Sequence, residues 1–208
     1  MPKTLRLTKT PPPDVDKRVL ILDAATRVFA ERGFFAAQVA DIARRAGIAA
    51  GTVYLYFRSK DELLITLFDR TMQAAIHEGR DALAEVTDPA ERLRTIARLH
   101  LERLGQDRNL AIVFQVELRQ STKFMARLSA TRLRDYLGLI RETIAAGQEQ
   151  GVFRAGIPAT LCAKMFFGAL DEMATNWILS DRRYDLAADA DAVVDVFLHG
   201  VNREARAS

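Results

Sequence analysis

The sequence predicts an all-α fold of about nine helices, a small N-terminal unit followed by a larger helical one. Three observations carry this. Apolar residues recur at the helical period from Val19 to Val201, and no strand-period segment, internal repeat or low-complexity run stands out. Helix boundaries are marked by capping residues: Ser59 with Glu62, Asp88 with Pro89 and Glu91, and the terminators Gly33, Gly47 and Gly151. The stretch Gln38 to Leu63, QVADIARRAGIAAGTVYLYFRSKDEL, reads as two short helices across a tight glycine turn, then the start of a longer helix.

The elements follow in order. Residues 1–13 hold Lys3, Arg6 and Lys9 before Pro11, Pro12 and Pro13, with no apolar period. They read as a flexible basic arm, either a DNA contact or a plain tail. Helix 1 should begin near Asp14 or Asp16 and stop at Gly33, burying Val19, Leu22, Ala25, Val28 and Phe29. Ala40, Ile42, Ala43 and Ala46 give the next helix its apolar face. Gly47 ends that helix, because glycine takes positive φ without steric cost, and Ile48 plugs the angle. Gly51 and Thr52 open the third helix, which carries Val53, Tyr54, Tyr56 and Phe57. The fourth starts at the Ser59/Glu62 box and runs to about residue 84 with Leu63, Leu64, Leu67, Phe68, Met72 and Ile76. Further helices are expected from Asp88 to Gly105, over about 107–118, from about Ser121 to Gln150, from Pro158 to about Ser180, and over about 187–204. The expected division is 1–13 arm, 14–60 helix-turn-helix domain, and 61–208 a larger helical domain.

A chain of 208 residues can bury a sizeable core, and 49% apolar with 27% charged residues is ordinary for a soluble protein. One cysteine, Cys162, excludes an internal disulfide and reads as a small buried hydrophobe in a helix. No apolar run reaches membrane-spanning length and no signal core is seen, so a cytoplasmic protein with no membrane contact is expected. The net charge of +3 is uneven. Residues 1–60 hold 11 Lys/Arg against 5 Asp/Glu, whereas residues 61–208 hold 19 against 22. Positive charge on the helix-turn-helix side suits attraction to phosphate, although a small domain can reach such a bias by chance.

The order D-I-A-x-x-A-G-I-x-x-G-T-x-Y-x-Y-F-x-x-K-x-E-L, from Asp41 to Leu63, resembles the TetR family of bacterial transcriptional repressors. The second helix of such a pair enters the major groove N-terminus first. Thr52 and Tyr54 are therefore placed near bases and phosphates, Tyr56 and Lys60 at phosphates, and Gln38 and Val39 beside the backbone. Tyr54 and Tyr56 have packing inside the three-helix unit as their other reading. The chain departs from the family where many members carry a capping Ser or Thr at Gln38, and Ser-Lys at Ala49-Ala50. A lost cap typically costs ~1 kcal/mol. The two alanines leave methyl contacts and DNA shape as means of recognition. What the resemblance implies is a two-fold homodimer on palindromic double-stranded DNA, paired through the last two helices, with residues 61–208 as the ligand-binding and dimerisation domain.

Asn109 to Ser121 (NLAIVFQVELRQS) and Phe167 to Leu186 (FGALDEMATNWILSDRRYDL) resemble the acyl-CoA-responsive FadR branch of Bacillus and Thermus type, as does Tyr54 to Phe57. That resemblance implies a repressor of fatty-acid degradation genes released by long-chain acyl-CoA, with no other cofactor. A dry tunnel could be lined by Phe114, Leu118, Phe124, Phe166, Phe167, Met173 and Trp177, and each of these could equally be ordinary core. The phosphates of CoA need cations. Arg119, Lys123, Arg127, Arg132 and Arg134 fall in a run without an acid, read either as a head-group site or as a solvated face; Arg119 is the first candidate.

A TetR-like repressor answering to another hydrophobic molecule, a drug or free fatty acid, remains the alternative. An enzyme acting on acyl-CoA finds no support. His77, His100 and His199 lack metal-ligand spacing, Asp171 and Glu172 are adjacent and so share no helix face, and neither a nucleophile elbow nor a Gly-rich phosphate loop occurs. A plain acyl-CoA carrier would bind ligand without sequence-specific DNA binding.

Overall fold

The N-terminal unit is built on α1 (Lys17–Arg32), whose Ile21, Leu22, Ala25, Val28 and Phe29 face inward. Fully burying one such side chain stabilises by roughly 1.5–3 kcal/mol. This computed structural model describes residues 17–120, 126 and 132–201. The expected arm, and the expected starts of the first and the long seventh helix, lie outside those residues. α2 (Val39–Ala46) and α3 (Ala50–Tyr56) close the unit, with Ile42, Val53 and Phe57 completing its core.

Behind it lie α4 (Lys60–Ala82), α5 (Pro89–Gln106), α6 (Arg108–Gln115), α7 (Arg132–Glu149), α8 (Ala159–Leu179) and α9 (Ala190–Val201). Nine α-helices are thus present among the described residues, with no strand, as the periodicity predicts. α5 packs against α4, α7 and α9, α7 against α8, and α6 is wedged between α1 and α8. α1 therefore rests directly on the larger unit.

The caps explain the boundaries. Asp88 accepts from the N–H groups of Ala90 (3.2 Å) and Glu91 (3.3 Å), and Pro89 at the first position has no N–H to satisfy. Asp107 accepts from Asn109 (3.0 Å) and Leu110 (3.1 Å), so one residue separates α5 from α6. The expected helix over about 107–118 is shorter. It stops at Gln115, and a 3-10 turn, Glu117–Gln120, follows. The last helix likewise begins later, after a 3-10 turn at Leu186–Asp189 whose Ala187 N–H donates to Asp185 at 3.0 Å. Among the described residues no helix is long and apolar enough to cross a membrane.

Candidate DNA-reading head and effector cavity

The turn between α2 and α3 has the predicted geometry. Gly47 takes φ 68°, and the Ile48 N–H donates to Ala43 O at 3.0 Å. Gln38 does not leave the start of α2 unsupported. Its backbone N–H donates to Asp41 Oδ2 at 3.4 Å, and Asp41 also pairs with Arg32 (2.9 Å) and Arg44 (3.0 Å). At the next junction the Glu62 N–H donates to Ser59 Oγ (3.1 Å), while Glu62 Oε2 accepts from the Arg58 N–H (2.6 Å). The expected box is present, with its return bond one residue earlier.

α3 buries Val53, with Phe57 buried just after it, and presents Ala50, Gly51, Tyr54 and Leu55 outward beside exposed Ala49; Thr52 and Tyr56 are half-buried. Val39 is only half-buried, and Gln38 is exposed beside it. Tyr54 is thus available to a groove, whereas Tyr56 divides its surface between core and solvent. Lys60 differs from its expected role at a phosphate. Its Nζ donates to Phe35 O (3.0 Å) and Ala37 O (2.8 Å) and sits 4.7 Å from the Phe34 ring centroid. It ties the loop after α1 to the first turn of α4. Leu55, 82% exposed, is the residue that the sequence reading missed on this face.

The larger unit holds a cavity of about 230 Å³ walled by α4, α5, α6, α7, α8 and the 3-10 turn. Phe68, Met72, Ile96, Leu104, Phe114, Leu118, Leu139 and Phe167 supply an apolar lining, with Phe68 and Phe114 stacked at 5.3 Å. Glu78, His100, Arg103, Gln115, Arg119, Tyr136 and Asp171 supply polar groups. Arg119 donates to Asp171 Oδ2 (2.5 Å) and Gln115 to Asp171 Oδ1 (2.9 Å); Thr175 donates to Gln115 Oε1 (3.2 Å). Arg103 pairs with Glu78.

His100 Nδ1 lies 3.0 Å from the Tyr136 hydroxyl, and its buried Nε2 has no hydrogen-bond partner among the described residues. Burial lowers the His100 pKa to about 4, outweighing the pull of Asp171, and raises that of Tyr136. His100 is therefore neutral at pH 7. His100, without metal-ligand spacing in the sequence, is a histidine enclosed beside the cavity.

Of the candidate ligand residues, Phe114, Leu118, Arg119 and Phe167 border the cavity. Phe166, Met173 and Trp177 do not. Phe167 and Asp171, one turn apart, face the space, whereas Phe166 lies on the neighbouring row and meets Phe197 of α9 at 4.9 Å. Trp177 Nε1 donates to Tyr184 O (3.0 Å), and the Arg108 guanidinium lies 5.2 Å from its ring centroid. Arg108 also caps α8 by donating to Trp177 O (3.2 Å) and Ile178 O (2.6 Å). Met173 is half-buried in ordinary core. Lys123, Phe124 and Arg127 lie outside the described residues. The last two cations of the basic run are not unpaired: Arg132 (3.8 Å) and Arg134 (3.9 Å) both approach Asp135, which follows them on α7.

The 3-10 turn that brings Leu118 and Arg119 to the cavity also carries Glu117, only 5% exposed. Its Oε2 accepts the Phe34 N–H at 2.6 Å, beside Gly33 at φ 77°. A carboxylate of the turn that borders the cavity thus holds the loop after α1.

Two family profiles match this chain: bacterial regulatory proteins of the tetR family over residues 21–67, and the C-terminal region of YsiA-like protein over 68–200. The chain belongs to the TetR family. The two matched TetR-family segments meet inside α4, the helix shared by head and cavity. The fatty acid metabolism regulator protein of Bacillus subtilis is 36% identical over 188 residues, covering 90% of this chain and 97% of that protein. The solved structure of the fatty acid degradation regulator FadR from Bacillus halodurans superposes with a TM-score of 0.83 at 40% identity, covering 88% of this chain and 98% of that one. FadR from Bacillus subtilis, solved in complex with stearoyl-CoA, gives 0.83 at 36% identity, covering 88% and 99%.

Proposed function

We propose that this chain is a homodimeric transcriptional repressor of fatty-acid degradation genes, released from a palindromic operator by long-chain acyl-CoA. The observation that carries the reading is the shared 3-10 turn. Leu118 and Arg119 border an apolar cavity, while Glu117 of the same turn grips the reading head. The cavity suits an acyl chain, and the stearoyl-CoA complex of a 36% identical relative supplies the head-group chemistry to test. Arg119 and Arg103 are the cavity cations offered to phosphate, each by exchanging its present carboxylate.

A ligand shifts the operator equilibrium only by binding the released form more tightly. A chain inserted between α4 and the 3-10 turn presses on both connections to the head: Glu117 to Phe34, and Lys60 to the loop carbonyls. Moving either alters the separation of two heads that must meet major grooves a helical turn or a multiple of it apart. Dimerisation is assigned to α8 and α9, where Leu161, Met165 and Val196 stand exposed. Tyr54, Thr52, Ala49, Ala50, Gln38 and Val39 form the DNA face; Tyr56 and Lys60 support it from behind.

The test is a gel-shift titration on the DNA upstream of its own gene, at fixed salt, with palmitoyl-CoA, palmitate and CoA added separately. Release by palmitoyl-CoA alone is expected. One observation favours a second reading, a hydrophobic effector without phosphates: both cavity arginines already hold carboxylates, which such a ligand would leave undisturbed. Release by palmitate as readily as by palmitoyl-CoA would select it.

A further inference from the structure

The face of α3 turned away from the core is apolar, and its composition is not explained by the fold. At about 100° per residue, Gly51 and Leu55 lie roughly opposite Val53, the fully buried residue of this helix. Ala49 and Ala50 are exposed beside them. Tyr54 and half-buried Thr52 are the hydrogen-bonding side chains of α3 flanking that centre. A solitary exposed leucine is unremarkable, but here it occupies the middle of the surface offered to a partner.

Gly51 is the second observation. A Cβ there would meet nothing within 4 Å, and its φ is not in the positive region that holds Gly33, Gly47 and Gly151. Neither backbone geometry nor internal packing requires a glycine, and glycine within a helix is unfavourable relative to alanine. Gly138 and Gly168 are equally open within their helices; what sets Gly51 apart is its place beside Leu55, where the missing side chain lets a body outside the chain approach the helix backbone.

Resting on the DNA-binding reading, we propose that Leu55 reads thymine 5-methyl groups on the floor of the major groove and that Gly51 admits the close approach. The excess of positive charge in residues 1–60 suits a polyanion, and the apolar mark that duplex DNA shows in the major groove is the thymine methyl. The head therefore selects its half-site largely by apolar contact, with Ala49 and Ala50 at the rim of the same surface.

The experiment uses a duplex enriched by the wild-type protein from a randomised library. It is prepared with thymidine or with deoxyuridine, so that only the methyl groups differ, and titrated at fixed salt. Burying one methyl is worth about fourfold in affinity, so two half-sites should give a loss on the order of tenfold on the uracil duplex. Leu55→Ala should lose most of the difference between the two duplexes. Gly51→Ala should melt at or above the wild-type temperature and yet bind the thymine duplex more weakly. Equal wild-type affinity for both duplexes, or undiminished discrimination by Leu55→Ala, would overturn the proposal. Failure to enrich any duplex would instead remove the DNA-binding reading beneath it.

Discussion

The backbone N–H of Phe34 donates to Glu117 Oε2 at 2.6 Å across 83 positions of chain. Phe34 lies in the turn just after the first helix of the reading head, and Glu117 sits two residues from Arg119 at the cavity. This bond joins the two halves of the protein and is charge-assisted, worth about 1.5–3 kcal/mol in a shielded setting. Glu117→Gln keeps the shape and an acceptor but not the charge. We expect a loss of about 1 kcal/mol in denaturant unfolding. The ratio of operator affinities without and with palmitoyl-CoA should also fall at least severalfold. A variant with the wild-type ratio would rule out this bond as a route of coupling.

Stability should depend on pH through His100. Its folded pKa is about 4 against an ordinary 6.5, because burial disfavours the charged ring. Between these values the unfolded chain takes up a proton that the folded chain refuses. The contribution is therefore whole above pH 6.5, declines as pH falls, and is gone near pH 4, amounting to about 3 kcal/mol. His100→Phe should flatten the stability profile across that window. Parallel wild-type and variant profiles between pH 4 and 7 would contradict the assignment.

What could be read from the chain was what local chemistry decides. Gly47, the Ser59/Glu62 box and the Asp88-Pro89 start each act within a few residues, and each is found in place. α8 resisted the same treatment. Apolar residues occupy most of its circumference, so periodicity could not say that Phe167 faces a cavity while Phe166 meets α9. Glu117 and His100 were illegible for a different reason. A buried acid or imidazole declares its role only through a partner remote in sequence, here Phe34 and Tyr136. Leu55 carried no signal of its own, because a single leucine on a seven-residue helix does not declare whether it faces core or solvent, and it stands 82% exposed.

Gly147 should be intolerant where Gly51 is tolerant. A Cβ at Gly147 would collide with the Phe153 ring and lie 3.0 Å from Pro89 Cβ, inside the contact between α7 and α5. Gly147→Ala should cost about 1–3 kcal/mol by overpacking, despite the helix preference for alanine. Thermal melts of the two alanine variants side by side would show opposite signs. A Gly147→Ala melt no lower than wild type would mean that α7 and α5 do not pack so tightly.

Arg119→Gln should separate head-group binding from chain binding. The guanidinium holds Asp171 now and is the cavity cation placed beside Leu118 and Gln115. Removing its charge should raise the palmitoyl-CoA concentration needed for operator release about tenfold or more, since a charge-assisted phosphate contact is worth about 1.5–3 kcal/mol. Any weak response to palmitate should be unchanged. An unaltered palmitoyl-CoA response would pass the role to Arg103 or to cations outside the described residues.

The exposed apolar positions of α8 and α9 should be where two copies meet. Met165 is 59% and Val196 77% exposed, and both stand on helices whose opposite faces are already packed. An acidic side chain at either would bury a charge at the centre of a two-fold contact, where each copy meets its mate. Met165→Glu and Val196→Glu should each shift sedimentation from dimer to monomer while leaving helix content unchanged. Operator affinity should fall together with dimerisation, because one head binds one half-site. A Met165→Glu protein that sediments as a dimer would place the contact elsewhere on the molecule.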